Sequence, residues 1–571
     1  MSLRAEHPVT GRTGGPVSHF LERYGIWLLV LLLLVAFGLR LFGLDRVVDA
    51  NHDEVNPLLA GFRLTQARFL PGGPWIENFL AQLFIYYNGA SAPLIQFVNL
   101  NVLNLLGVPV REFFLFLPYA VVGTLSLLGL YFLGRRWFDA ETGLLATLFG
   151  ALAAYHIVVS RINHPMVGIF FIQVLLFLAA ERLFSTRKWI WAALVSILLS
   201  LEVLSNNGFA FTLVVLVYFG WMRMRQEAAG EGARVTLKRV LAFKRETALI
   251  WWSILPLIVL VLQLGFFAEA LRRGELVGLL AWSFGHRRPM SFTPATLGVF
   301  GSAFGFGLIL VALAAFLRNL PALIRFNVRG LLVWWFILLG LPFLGVFSAQ
   351  PVHLIATCGI AVFLLSADFL VRGMRAHGRW ARWGAVAVTA LVLAEGTSGA
   401  LAVNYLFPTP NQAWYVKAEG QGALGWTRRY RGTKSAGYWI RKYGGPDSRV
   451  YINDDPNLAE FYLGTVRCEC GDPKRKRLFA HENFRPDPPV DYIVLLEKAL
   501  VLDELQEVVD RYHLTGSIFD DGERLARIYS REPRERRDLE HAEAVHLFDR
   551  EFAHLDRIIT SPYAGMTFWL N

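Results

Sequence analysis

The sequence predicts a polytopic α-helical membrane protein with a C-terminal α/β domain in water. Three observations carry that expectation. First, 54% of the 571 residues are hydrophobic, and apolar runs of membrane-spanning length recur from Ile26 to about Tyr405. Second, Lys and Arg collect in alternate loops between those runs, the signature of a chain threaded through a bilayer. Third, the tail beyond about Pro408 is charged and alternates strand-like with helix-like stretches.

Residues 1–25 form a polar leader containing Gly and Pro, expected in the cytoplasm. The first apolar run begins near Ile26, and Leu39 to Leu44 offers no clear small-residue cleavage site, so this run is expected to stay as an anchor. At about 20 apolar residues per crossing, about eleven spans are expected. They cover roughly 26–44, 112–134, 139–158, 165–183, 188–204, 207–222, 248–268, 297–317, 331–347, 353–371 and 383–403. Between Asp45 and Arg111 lies a long outer loop. Its apolar parts, "WIENFLAQLFIYY" and "APLIQFVNLNVLNLLG", are too short or too interrupted by Asn and Pro for a crossing. They suit interfacial helices, with Trp75, Tyr86 and Tyr87 at headgroup level.

One set of loops is plainly basic: Arg135 and Arg136, then Arg187 and Lys188, then the segment from Arg223, then Arg318, Arg325 and Arg329, and finally Arg372, Arg375, Arg379 and Arg382. Positive charge retained inside places the N-terminus in the cytoplasm, and an odd span count places everything after about Asn404 outside. In the tail, 406–571, "SRVYIN", "DYIVLLE" and "LARIYS" read as strands, and "TKSAGYWIRKYG" and "VLDELQEVVDRYH" as helices.

Composition also excludes function classes. The net charge of +11, from 56 basic and 45 acidic residues, sits largely in short loops beside lipid, so no nucleic-acid partner is expected. Three cysteines, one of them Cys358 in an apolar run, define neither a disulfide framework nor a zinc site. The tail has no Gly-rich phosphate loop, since "YGGPDS" reads as a turn.

Polar groups gather at the outer ends of the spans. "NHDE" places His52, Asp53 and Glu54 just after the first span, where ionised carboxylates are costly unless they face a polar cavity. The competing reading is a pair of solvated or helix-capping acids. "YHIVVSRINHPM" sets Arg161, Asn163 and His164 between two apolar runs, with Pro165 opening the next helix. A polar turn with a snorkelling arginine competes there. "FGHRRPMSF" breaks the charge rule by setting His286, Arg287 and Arg288 outside, where planar guanidinium groups suit phosphate, although an exposed turn is the plainer reading. His353, before the tenth span, is similarly placed, and a structural role competes for it.

Three stretches together resemble the GT-C membrane glycosyltransferases, particularly the bacterial branch related to protein O-mannosyltransferases and lipid A aminoarabinose transferase. "NHDEVNPLLAGFRLTQARFLPGGPW" resembles the family's first outer loop. "NGASAPLIQFVNLNVLNLLGVPVREFFLFLPYAVVGTLSLLGLYFLGRRWFDAETG" resembles the interfacial segment and span that follow. "SRINHPMVGIFFIQVLLFLAAERLF" resembles the second outer loop and fourth span. The likeness runs from about Gly25 to Tyr405. It departs at Asn163 and His164, where relatives often carry an acid, at Ala92-Pro93-Leu94, and at His353.

The resemblance implies a transferase that uses a polyprenyl-phosphate sugar and an acceptor hydroxyl on protein, lipid or glycan, at the outer face of a bacterial inner membrane. It implies Asp53 as general base, Glu54 orienting the acceptor, and Arg287 and Arg288 on the donor phosphate, helped by His286 and His353. His52, Arg161, Asn163 and His164 would bind sugar or phosphate, and the anomeric centre would invert. The two carboxylates could exchange roles. His52, Asp53, Glu54 and His164 are acceptable ligands for a divalent cation, but no spacing is diagnostic and no obligatory cofactor is expected. A lipid-linked substrate transporter and a non-catalytic membrane binding or assembly protein are the rival classes.

Overall fold

The computed structural model describes residues 16–42, 44, 91–108, 112–161, 165–186, 188–205, 209–230, 300–340, 351–405, 432–445, 448–452, 467–468, 490–497, 509–520 and 522–540. Helices dominate up to Tyr405. In chain order they are α1 (Pro16–Leu41), α2 (Ser91–Leu105), α3 (Glu112–Trp137), α4 (Ala140–Leu152), α5 (Ala154–Val159), α6 (Pro165–Thr186), α7 (Trp189–Ser205) and α8 (Phe209–Gly230). The later ones are α9 (Phe306–Asn319), α10 (Val328–Gly340), α11 (Pro351–Met374) and α12 (Arg379–Tyr405). Every expected span falls on a helix over its described part, except 248–268, which lies outside the described residues. Among the described residues four helical stretches are long and apolar enough to cross a membrane: Arg23–Leu41, Phe113–Trp137, Met166–Thr186 and Arg379–Ala402.

Two expected spans are broken rather than continuous. The third splits at Ala153, whose extended ψ of 117° ends α4 while its N–H still donates to Phe149 O at 2.9 Å. The eighth splits at Gly305, between a helical stretch at 300–304 and α9. Its φ of +91° is one that L side chains rarely adopt. Glu395 of α12 closes the gap, its two carboxylate oxygens each accepting at 2.7 Å from the N–H groups of Phe306 and Gly307. A negative group thus meets the positive end of α9.

Of the two stretches expected as interfacial helices, "WIENFLAQLFIYY" lies outside the described residues and the other is helical, as α2. Its 15 residues rise roughly 22 Å, short of a bilayer core of about 30 Å. Its polar residues have a defined job. Pro118 inside α3 has no N–H to give the carbonyl four residues earlier, and Asn99 of α2 donates to that carbonyl, Phe114 O, at 2.9 Å. Gln96 donates to Leu115 O beside it at 2.6 Å.

The basic loops converge on one end of the bundle, as a belt of ion pairs. Arg375 after α11 meets Asp139 at 2.6 Å and Glu141 at 2.7 Å, before and within α4. Glu181 of α6 accepts from Trp137 Nε1 at 2.8 Å and pairs with Arg136 at 3.3 Å and with Arg223 of α8. Asp368 of α11 takes both Arg329 donors, at 2.8 and 2.9 Å, and Arg372 at 2.7 Å. Away from the belt the core is aliphatic and aromatic, with Phe177 edge to face and Phe219 tilted against Trp137, and Trp335 tilted against Phe177.

The tail forms a six-stranded mixed sheet in the order β2-β1-β3-β5-β4-β6. The strands are β1 (Arg449–Ile452), β2 (Arg467–Cys468), β3 (Tyr492–Leu496), β4 (His513–Asp520), β5 (Glu523–Ser530) and β6 (Leu539–Glu540). All three stretches read as strands are strands, and "TKSAGYW" is a helix, α13 (Thr433–Trp439). The expected helix "VLDELQEVVDRYH" lies largely outside the described residues, and its last residue, His513, opens β4 instead. Both faces of β3 are buried: Tyr492, Val494 and Leu496 pack under Trp439 and Ile440, while Ile493 and Leu495 join Tyr451 and Tyr529.

Candidate functional site

Deeper in the bundle than the ion-pair belt, a polar cluster that includes Ser126, in the middle of α3, lies inside apolar packing. Arg40 closes α1, and α5 with Ser160 and Arg161 follows the break at Ala153; Arg40, Ser126, His156, Ser160 and Arg161 are all buried. Gly150, beside the cluster, is ten residues into α4, so the cluster lies roughly 15 Å along the helix axis from the belt.

The contacts fix the proton positions. Arg40 Nη2 donates to His156 Nδ1 at 2.7 Å, and guanidinium has no acceptor, so Nδ1 carries no proton. The imidazole is then the Nε2–H tautomer, donating to Ser126 Oγ at 3.0 Å, and Ser126 passes its own hydrogen to Gly123 O at 2.7 Å. His156 is neutral in this arrangement. Arg40 Nη1 donates to Ala36 O at 2.7 Å, one turn back on its own helix. Arg161 Nη2 donates to Leu39 O, so both guanidinium groups gather at the C-terminal, electronegative end of α1. Gly123 is required: Ser160 Oγ occupies the place of a Cβ there, and Arg40 Nε would lie 3.4 Å from it.

A second polar group sits among α6, α7 and α8. Glu202 Oε1 accepts from Gln173 Nε2 at 2.9 Å and from Thr212 Oγ1 at 3.0 Å, all three residues being buried. This knot ties three helices together. Among the described residues no group of three or more His, Cys, Asp or Glu could hold a metal ion.

Of the residues expected from sequence, Arg161 is in the cluster. It is buried, not reaching for headgroups. His353 lies in the first turn of α11. His52, Asp53, Glu54, Asn163, His164, His286, Arg287 and Arg288 lie outside the described residues. The chain leaves α1 at Leu41, and Leu44 is fully buried. Sequence reasoning missed Arg40, Ser126 and His156. A charged residue inside the first apolar run was the available signal for Arg40.

Structural comparison gives this helical arrangement a known counterpart. ArnT from Cupriavidus metallidurans, solved in the apo state, superimposes with a TM-score of 0.50 at 14% identity over 90% of this chain and 100% of that one. The same protein bound to undecaprenyl phosphate superimposes with a TM-score of 0.50 at 14% identity, over 88% and 98% of the two chains. This chain has the GT-C fold. An oligosaccharyltransferase from Archaeoglobus fulgidus aligns at 15% identity with a TM-score of 0.47, over 83% of this chain and 69% of that one. No protein-family model matches the chain, and no curated protein matches it in sequence. Within the GT-C fold the buried Arg40–His156–Ser126 cluster joins the C-terminal turn of α1 to α3 and α5.

Proposed function

We propose that the protein is a glycosyltransferase that moves a sugar from a polyprenyl-phosphate donor to an acceptor hydroxyl at the outer face of the cytoplasmic membrane. The observation that supports this reading most is the superposition on a transferase solved with undecaprenyl phosphate, over 88% of this chain. In this reading about eleven spans carry the site, the basic belt faces the cytoplasm as retained positive charge, and the tail sheet lies outside.

The acceptor hydroxyl has a pKa far above neutral, so a carboxylate aligned with it takes the proton as the oxygen attacks the anomeric carbon. Asp53 has that role and Glu54 orients the acceptor. The bond from the anomeric carbon to the phosphate oxygen breaks, and the electron pair leaves on the lipid phosphate. Negative charge grows there in the transition state, so Arg287 and Arg288, with His286 and His353, stabilise it more than the ground state. His52, Asn163, His164 and Arg161 hold sugar or phosphate. One displacement inverts the anomeric centre. A divalent cation fits the donor types of His52, Asp53, Glu54 and His164, and no step is assigned to it.

The test is sugar transfer and donor binding by the purified full chain in nanodiscs, with a panel of polyprenyl-phosphate sugars and mass-spectrometric detection of the freed lipid phosphate. Asp53→Asn keeps the shape but cannot take a proton, so turnover falls by about 10²-fold or more with donor binding little changed. Near-wild-type transfer in both Asp53→Asn and Glu54→Gln would sink the catalytic reading; a larger loss at Glu54 exchanges the two roles.

A further inference from the structure

The ion-pair belt and the Arg40 cluster use the same side chain in two ways. At the belt, each of Arg136, Arg223, Arg329, Arg372 and Arg375 has a carboxylate partner. Arg40 is fully buried, yet among the described residues the groups that hold it are neutral: His156 Nδ1, Ala36 O and, at 3.5 Å, Gly150 O. Its Nε has no hydrogen-bond partner among the described residues.

A buried cation without an anion is costly, and the interior strengthens whatever anion reaches it. The neutral His156 supplies no charge; it supplies aim. Because Nε2–H is committed to Ser126 and Ser126 to Gly123 O, the imidazole cannot turn, and its Nδ1 lone pair holds one edge of the guanidinium. The Nε edge, against Gly123 of α3, keeps a donor with no partner among the described residues.

We propose that Arg40 is an anion-binding residue for the lipid phosphate of the donor, and that His156 and Ser126 are the residues that position it. The proposal rests on the polyprenyl-phosphate reading above and adds to it a cation supplied by the first span rather than by an outer loop.

The experiment compares binding of a polyprenyl monophosphate and of the matching uncharged polyprenol to the full chain in nanodiscs. Wild type should prefer the phosphate by at least about tenfold, the scale of one charge-assisted hydrogen bond. No preference in wild type would refute the polyprenyl-phosphate reading itself. Arg40→Gln should weaken phosphate binding by about 10- to 100-fold while polyprenol binding and the melting temperature stay near wild type. Unchanged phosphate binding in folded Arg40→Gln would overturn the role of Arg40 and leave the broader reading standing.

If Arg40→Gln does not fold, the positioning pair decides. His156→Asn offers an amide oxygen to Arg40 and an amide N–H to Ser126, and should keep phosphate binding within about twofold of wild type. His156→Leu offers neither and should lose about fivefold or more. Equal phosphate affinity in these two variants would overturn the proposal, because mere space-filling would not separate them.

Discussion

Removing the Glu395 carboxylate should loosen the bundle at the break before α9. The perturbation is Glu395→Ala, which takes away two acceptors at 2.7 Å from adjacent N–H groups, Phe306 and Gly307. A hydrogen bond to a charged group contributes about 1.5–3 kcal/mol, and the helix dipole adds roughly 0.3–1. Phe306 is exposed, and its N–H can recover part of its loss. The net cost is therefore about 3–5 kcal/mol, the lower end holding if solvent reaches that N–H. With about 2 cal/mol/K per residue of unfolding entropy, this lowers the melting temperature by roughly 3–4 °C for a chain of this length. Glu395→Gln keeps one acceptor oxygen and should lose about half as much. Thermal melting in nanodiscs gives the shift, and hydrogen exchange at the two amides, faster in both variants, locates it. If Glu395→Ala melts within about 1 °C of wild type with unchanged exchange, the cap contributes nothing and the reasoning fails.

Three other outcomes follow from the same geometry. Asp368→Asn leaves Arg329 and Arg372, which are 36% and 29% exposed, without their shared carboxylate, and should cost about 2 kcal/mol in a melting experiment, between the surface and buried limits for ion pairs. Burial pushes the Tyr451 hydroxyl up to about 12 from an ordinary 10.0, so the folded form keeps the proton longer than the unfolded chain does. Its contribution is whole below pH 10 and is lost as pH rises from 10 to 12, by about 1.4 kcal/mol per unit; the loss should shrink in Tyr451→Phe when both proteins are melted across that range. For topology, Glu535→Cys in the exposed segment between β5 and β6 should react with a membrane-impermeant thiol reagent on spheroplasts, while a cysteine at Gln226, next to the belt, stays silent. The reverse pattern would invert the assigned sides.

The helices up to Tyr405 were legible because long apolar runs with few breakers fold as helices, and the basic residues between them meet in one belt of ion pairs. The sheet's central strand β3 was legible for a related reason: "YIVLL" has no charged residue and is buried on both faces. What escaped is polar chemistry inside apolar runs. Glu395 was read as part of a span, although a carboxylate there needed donors, which the broken helix at Gly305 provides. Asn99 was read as an argument against crossing, whereas its partner is a carbonyl freed by Pro118 in the next helix. Neither pairing has a local signature, since each joins residues brought together only by packing. The same holds at the site: Arg40 and His156 are 116 positions apart and meet at 2.7 Å.

Burial and pairing together separate two uses of arginine in this fold. At the belt a half-exposed guanidinium keeps some solvation, finds a carboxylate, and anchors a helix end; exchanging Asp368 for Asn tests stability and little else. Arg40 has no exposure, and the dipole end of α1 together with neutral acceptors offsets only part of the cost of its charge. Such a cation is most valuable where an anion arrives and leaves, since a permanent carboxylate partner would compete with it. The two variants should therefore diverge: Asp368→Asn shifts melting and spares phosphate affinity, whereas Arg40→Gln spares melting and loses phosphate affinity. A chain in which both variants lowered stability alone would have arginines of one kind at both places, and the polar cluster at α1 would be a structural knot like that of Glu202.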